Sequence, residues 1–132
     1  MVTKMYASPY ISGFGEFWLL VRDSTKSQRC ARSRALSDDG RILAVETPGH
    51  TPGHISVICI DDSGRHVMLA GDATDTLEQL HARRADAIGP DPKTHVATLE
   101  MILAHCAQHP TVFLPSHDPE SVARLAGAIT VT

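Results

Sequence analysis

Three short apolar runs in this chain each lead directly into a residue that can bind a metal ion. The segments that follow them are Thr47-Pro-Gly-His50-Thr-Pro-Gly-His54, Ala70-Gly-Asp72 and Pro115-Ser-His117-Asp118. Because the loops that leave the carboxyl ends of parallel-type strands converge at one edge of a sheet, we expect His50, Asp72 and His117 to meet there. Imidazole and carboxylate are donors that a zinc-type divalent ion accepts. The sequence therefore predicts a layered α/β domain with a metal site at one edge of its sheet.

The length and composition are those of one globular domain with a core of its own. The chain has 132 residues, 42% of them hydrophobic, and a formal net charge of −3. A charge this mild, without a basic stripe, argues against a nucleic-acid partner. The longest apolar runs, Phe17 to Val21 and Ile55 to Ile60, are too short to span a bilayer, so no membrane partner is expected.

The cysteines and the first residues bear on where the protein works. Cys30, Cys59 and Cys106 form no CxxC motif and no paired framework. We expect Cys59, within a strand, and Cys106, on a helix, to be small buried side chains. Residues 1–13 lack the apolar segment of a signal peptide. These observations predict a reduced protein located in the cytoplasm.

The first half of the chain predicts strands. Residues 1–35 form a loop-rich lead-in, with a candidate strand at Gly15 to Val21 and an exposed loop at Arg22 to Arg34. Two Asp- and Gly-containing turns then separate three predicted strands, which suit an antiparallel meander. The three strands are Arg41 to Glu46, His54 to Ile60 and Val67 to Ala70.

The second half changes to a helical period. Asp75 and Glu78 have the spacing of a capping box, which predicts a helix from Thr76 to about Arg84. Asp91-Pro92 is typical of a helix start. The apolar stripe of that second helix, which runs to about Gln108, consists of Val96, Leu99, Leu103 and Cys106.

A strand and a helix complete the predicted order. Thr111 to Leu114 is expected to be a fourth strand, after the three strands of the meander, and Asp118-Pro119 to start the last helix. That helix would turn Val122, Leu125 and Ala126 inward and stop near Gly127. The order of elements predicts one mixed sheet with helices on one face.

Each candidate site residue also has an ordinary structural interpretation. His50 and His117 alone would be surface loop residues, and Asp72 alone would be a turn aspartate. His54, which enters a strand, is expected to be a buried hydrogen-bonding histidine that supports the ligands. Asp75 and Asp118 are assigned to helix capping. The coincidence of three such residues at strand ends is what favours a metal site.

The three motifs, in this order and spacing, resemble those of the metallo-β-lactamase-fold hydrolases. Within that superfamily they resemble the branch of lactonase-like enzymes related to N-acyl-homoserine lactonases. The resemblance covers roughly residues 31–127, and it implies an αββα sandwich of which this chain is the carboxyl-terminal half. On this view residues 1–132 form a single partial domain, with the lead-in at 1–35 and the motif-bearing part at 36–127.

The resemblance also implies a site and a reaction. His50 and His117 would each bind one metal, and Asp72 would bridge the two and serve catalysis. The implied cofactor is zinc, one or two ions, with iron or manganese as alternatives. The implied reaction is hydrolysis of a small-molecule lactone, ester or thioester by metal-activated water.

Two departures from the family pattern stand in the sequence. The HxHxDH segment, which supplies further ligands in the family, does not occur in the chain. The lactonases carry a tyrosine three residues after the bridging aspartate, where this chain has Asp75. The motifs therefore specify the superfamily rather than the substrate.

Three functions stay open at this point. The first is a truncated metallo-hydrolase with little activity alone. The second is an active hydrolase completed by self-association or by a second chain, and the third is a non-catalytic interaction domain of the same fold. Half a sandwich exposes an apolar sheet face, which a monomer seldom tolerates. We therefore expect a homo-oligomer or a complementing chain to cover that face.

Overall fold

The fold is a six-stranded mixed sheet with three helices, given by a computed structural model that describes residues 16–19 and 31–131. The strands lie in sequence order across the sheet. All neighbouring strands are antiparallel except the last two, which are parallel and joined through two of the helices. The elements are β1 (Glu16–Leu19), β2 (Ala31–Ala35), β3 (Ile42–Glu46), β4 (Ile55–Ile60), β5 (His66–Gly71), α1 (Leu77–Ala82), α2 (Pro92–Gln108), β6 (Thr111–Pro115) and α3 (Ser121–Ala126).

The predicted strands agree with the structure, with one correction. The meander of β3, β4 and β5 and the later strand β6 lie within a residue or two of their predicted bounds. The exposed loop predicted at Arg22 to Arg34 is wrong over its last residues, because β2 begins at Ala31. Ser33, Arg34 and Ala35 pair with β3, so backbone pairing overrides the polar composition of this segment. Residues 20–30 lie outside the described part of the chain.

One face of the sheet forms the core, as predicted. Leu43 and Val45 of β3, Ile58 of β4 and Met68 of β5 are buried on this face. They pack in one cluster with Leu99 and Ile102 of α2, and Phe113 of β6 completes it. The alternation of strand side chains places Glu46 and the remaining apolar residues of β3, β4 and β5 on the other face, which we call the open face. These apolar residues are Ile42, Ala44, Ile55, Val57, Cys59, Val67 and Leu69.

Helix α2 begins and ends as predicted, but its buried stripe is rotated. Asp91 caps its first turn by accepting the Lys93 N–H at 3.0 Å, and proline follows at the first position. Leu99 and Cys106 are buried as expected, whereas Val96 and Leu103 are only half-buried. The other buried positions are His95, Thr98, Ile102 and His105. His95 and Thr98, which donate to the Ala73 and Pro48 carbonyls of the loops beneath, are therefore buried at positions that the apolar pattern did not include.

The starts of α1 and α3 correct the capping assignments. Thr76, not Asp75, caps α1, since its side chain accepts the Gln79 N–H. Gln79 in turn accepts the Asp75 N–H at 2.8 Å. Asp118 does not cap α3; its carboxylate accepts N–H bonds from Leu77, at the start of α1, and from Glu120. Asp118 thus ties the beginning of α1 to the turn before α3.

The orientation predicted for α3 is wrong. Val122 and Leu125 are 80% and 52% exposed, and Ala126 is exposed as well. The buried residue of this helix is Arg124, which donates to the Phe113 carbonyl at 2.9 Å and to Asp118 at 3.0 Å. A buried carboxylate and a strand carbonyl thus draw the charged side chain inward.

The cysteines and the helices complete the comparison. Cys59 and Cys106 are both unpaired, and Cys106 is buried as expected. Cys59 is only half-buried, because it lies on the open face rather than in the core. Burial raises the pKa of the Cys106 thiol to about 11. Among the residues that the structure describes, no helix has the length and apolar character needed to cross a membrane.

Candidate metal centre

The topology brings the three predicted site residues to one edge of the sheet. Since β3 and β5 both run antiparallel to β4, and β6 runs parallel to β5, the carboxyl ends of β3, β5 and β6 share that edge. His50 follows β3, Asp72 follows β5 and His117 follows β6. The juxtaposition thus follows from strand direction alone.

Asp72 lies between the two histidines. Its Oδ1 atom is 3.3 Å from Nε2 of His117, and its Oδ2 atom is 4.0 Å from Nε2 of His50. Gly71, which has a φ of +60° at a bulge of β5, sets the direction in which Asp72 leaves the strand. The His117 side chain is 66% exposed and that of Asp72 38%, so this side of the site is open to solvent.

His54 supports this arrangement through hydrogen bonds at both ring nitrogens. Its Nδ1 atom lies 3.2 Å from the Thr47 carbonyl and 2.8 Å from the Thr47 hydroxyl, so Nδ1 carries the proton. Its Nε2 atom accepts the Asp72 N–H at 3.1 Å. Burial lowers the pKa of His54, which favours this neutral form. Since Nε2 is engaged by a backbone donor, His54 orients Asp72 and has no free nitrogen to offer an ion.

Asp86, which the sequence did not single out, contacts His50 directly. Its Oδ2 atom lies 2.7 Å from Nδ1 of His50, and its side chain is 8% exposed. Burial would raise the pKa of Asp86, but hydrogen bonds from Gly89, His50 and Ile88 outweigh it and lower the pKa to about 2. The same contact raises the pKa of His50, against a smaller opposing effect of burial. In the sequence Asp86 has only the signature of a turn aspartate before Gly89-Pro90, and nothing there indicates His50 as its partner.

His95 is the second residue that the sequence did not single out as part of the site. Its Nε2 atom donates to the Ala73 carbonyl at 2.8 Å, and its Nδ1 atom accepts the Asp86 N–H at 3.3 Å. The ring, which is only 1% exposed, therefore links α2 to Ala73, next to Asp72, and to Asp86, the partner of His50. A buried histidine on a helix face is most simply interpreted as core, which is why the pattern concealed it.

The donors suit a divalent transition metal in kind but not in number. His50, Asp72 and His117 offer imidazole nitrogen and carboxylate oxygen, which zinc accepts, but a zinc site ordinarily takes four ligands. Within residues 16–19 and 31–131, no group of three or more His, Cys, Asp or Glu side chains is arranged to hold a metal ion as it stands. A metal ion held by these three residues would need further donors.

Comparison with known proteins places this fold. The probable metallo-hydrolase YflN of Bacillus subtilis is 36% identical over an alignment of 99 positions, and the match covers 64% of this chain and 36% of that protein. The structure of an N-acyl homoserine lactone hydrolase, with its product bound at the catalytic metal centre, superposes with a TM-score of 0.59 at 22% identity. That match covers 69% of this chain and 35% of the other.

A further structure names the superfamily. The hydrolase AbOPH, of the beta-lactamase superfamily, superposes with a TM-score of 0.53 at 25% identity, over 66% of this chain and 30% of the other. No family model matches the chain. These likenesses confirm a lactonase-like metallo-β-lactamase fold, of which this chain carries a part. It spans about a third of the length of the curated relatives that it matches.

Proposed function

We propose that this chain is part of a metal-dependent hydrolase of the metallo-β-lactamase superfamily. The substrate class is a small molecule with a lactone, ester or thioester carbonyl, and the metal is zinc, with iron or manganese as alternatives. His50 and His117 would each bind an ion, and Asp72 would bridge the two. An ion held there would supply Lewis acidity to the carbonyl and acidify a water molecule. We do not restrict the substrate to lactones, because Asp75 stands at the position where the lactonases carry a tyrosine.

One observation carries the proposal. The two oxygens of the Asp72 carboxylate face two different histidine Nε2 atoms, at 3.3 Å and 4.0 Å. A single histidine beside an aspartate would be an ordinary ion pair. Two imidazoles on opposite oxygens of one carboxylate support the bridging role that we propose for Asp72.

We also propose that the chain alone has little activity. Metal affinity is shared among all ligands of a site, and His50, Asp72 and His117 leave each ion with one imidazole and one carboxylate oxygen. The remaining donors would come from polypeptide other than these 132 residues, since no HxHxDH segment occurs in them.

The open face supports the same proposal. On it, Ile55 is 56% exposed, Leu69 49% and Ile42 40%. Such a surface suits a second layer of structure, which a complementing chain or a second copy of this one would supply. The same face favours a second candidate function, a non-catalytic half-domain that pairs with another chain.

The first test is the metal content of the purified chain after equilibrium dialysis against added zinc, iron or manganese. Because the chain supplies only part of the ligands, the proposal predicts weak but measurable binding, and mass spectrometry of the elements should find less bound metal in Asp72→Asn and His50→Gln. His81→Gln is the matched control, because His81 is an exposed histidine on α1 and is not one of the three candidate ligands. Essentially no metal in the unmodified chain would favour the non-catalytic half-domain instead.

The cellular location belongs to the proposal as well. Cys59 and Cys106 are unpaired, which suits a reducing compartment. We therefore propose the cytoplasm, and fractionation of the native host with an antibody against this chain would test it.

A further inference from the structure

We infer that Asp86 is a positioning residue of the candidate metal centre, which fixes the His50 ring so that its Nε2 atom is free to bind a metal ion. The inference rests on the proposed function, because it assumes that His50 is a ligand. Asp86 lies in the connection between α1 and α2 and is 36 residues from His50 in sequence. The fold alone brings the two side chains together.

Both oxygens of Asp86 have defined partners. Oδ1 accepts the N–H groups of Ile88 at 3.0 Å and of Gly89 at 2.9 Å, so it anchors the loop on which it lies. Oδ2 is left for His50, at 2.7 Å from the ring Nδ1 atom. The carboxylate therefore cannot turn away from His50 without breaking the loop.

The contact decides the tautomer of His50. An ionised carboxylate only accepts hydrogen bonds, so the proton of the neutral imidazole must be on Nδ1. The Nε2 atom then carries a lone pair and faces Asp72 at 4.0 Å. Histidines that bind metals commonly donate their other ring N–H to a carboxylate in this way.

The loops that carry the two residues are held against each other. A Cβ atom at Gly89 would clash with the Gly49 carbonyl, and a Cβ atom at Gly49 would lie 2.6 Å from the His95 ring. Thr98 of α2 donates to the Pro48 carbonyl on the same side. The missing side chains at Gly49 and Gly89 thus allow the close approach that puts Asp86 within reach of His50.

The Asp86→Asn variant tests the tautomer of His50 without removing the hydrogen bonds that hold the loop. The asparagine Oδ1 atom can still accept the Ile88 and Gly89 N–H groups, but its NH₂ group replaces Oδ2 opposite His50. Two donors would then face each other unless the His50 proton moves to Nε2. In metal-free protein at alkaline pH, we expect ring ¹⁵N NMR to find the Nδ1–H form in the unmodified chain and the Nε2–H form in the variant.

The metal-binding readout uses zinc alone and a matched control. Loss of such a partner typically weakens metal affinity about 10- to 100-fold, and we expect Asp86→Asn to weaken zinc binding by this factor. Asp91→Asn is the control, because Asp91 caps α2 through Lys93 and Thr94 without contacting His50. The control should leave both the tautomer and the zinc affinity unchanged.

An Nε2–H ring in the unmodified chain would overturn the inference, even if Asp86→Asn failed to fold. An unchanged tautomer in a folded Asp86→Asn variant would overturn it as well. Zinc that bound neither protein would count against the proposed function, and the tautomer would still decide whether Asp86 positions His50.

Discussion

Gly49 and Gly89 allow the loop that carries His50 to pack against the connection between α1 and α2. Neither Gly49 nor Gly89 has a positive φ, so backbone conformation does not require glycine at these positions. What requires it is space, since the two loops cross backbone to backbone. Close approach of two main chains leaves no room for a single methyl group.

At the scale of these residues, we expect Gly89→Ala to destabilise the protein by about 1–3 kcal/mol, the usual cost of overpacking. The new methyl group would meet the Gly49 carbonyl, which is backbone and cannot rotate away. Urea unfolding followed by circular dichroism measures the effect. Gly53→Ala is the control, because a Cβ atom there has nothing within 4 Å. Equal urea midpoints for Gly89→Ala and Gly53→Ala would contradict the close contact between the Gly89 and Gly49 backbones.

At the scale of elements, three histidine rings stack where β5 meets the end of α2. His66 and His109 are nearly parallel at 4.5 Å, and His105 lies 5.0 Å from His66 and 4.8 Å from His109. His105 Nε2 is 3.0 Å from His66 Nδ1, while its buried Nδ1 atom has no partner among the described residues. The Asp61 carboxylate opposes the lowering of the His66 pKa. Asp61 is itself paired with Arg65 at 2.7 Å.

This packing predicts a loss of stability in acid. Burial, and then the neighbouring rings, lower the pKa of His66, and they lower that of His105 to about 4. Below pH ~6.5 the unfolded chain therefore binds more protons than the folded one. Stability is complete above that pH and falls as the pH drops toward about 4, by about 1.4 kcal/mol per pH unit for each proton.

The measurement is the unfolding free energy as a function of pH in the unmodified chain and in His105→Leu. We expect a shallower acid slope in the variant, since it lacks the most strongly shifted group. His81→Gln, at an exposed position, should keep the full slope. Parallel curves for all three proteins would show that the acid slope does not come from this cluster.

At the scale of the whole molecule, the open face should govern association. We expect the isolated chain to self-associate at high concentration, and Leu69→Lys to weaken that association at least tenfold. A buried leucine contributes about 1.5–3 kcal/mol, and about 1.4 kcal/mol corresponds to a factor of ten. Sedimentation equilibrium measures it. Ile88→Lys is the control, since Ile88 is 72% exposed but lies in the loop between α1 and α2.

How far the sequence predicts this molecule depends on the range of the contacts involved. The strands that carry alternating apolar residues and the cap at Asp91 are local features, and the sequence located them. Arg124 was missed because its partners lie outside its helix, the Phe113 carbonyl on β6 and Asp118 in the turn before α3. The meeting of His50, Asp72 and His117 could be expected from strand ends, but Asp86 could not, since only the folded α1–α2 connection brings it near.

The parallel pairing of β5 with β6 has a consequence for the order of folding. The meander of β3, β4 and β5 is built from neighbours in sequence, whereas β6 can dock only after the chain between them has closed a long loop. Pairing of that kind is slow, because loop entropy must be lost before its contacts form. We therefore expect His50 and Asp72 to come together early and His117 to join them last. A ribosome-bound nascent chain that has not yet released β6 would hold only two of the three candidate ligands.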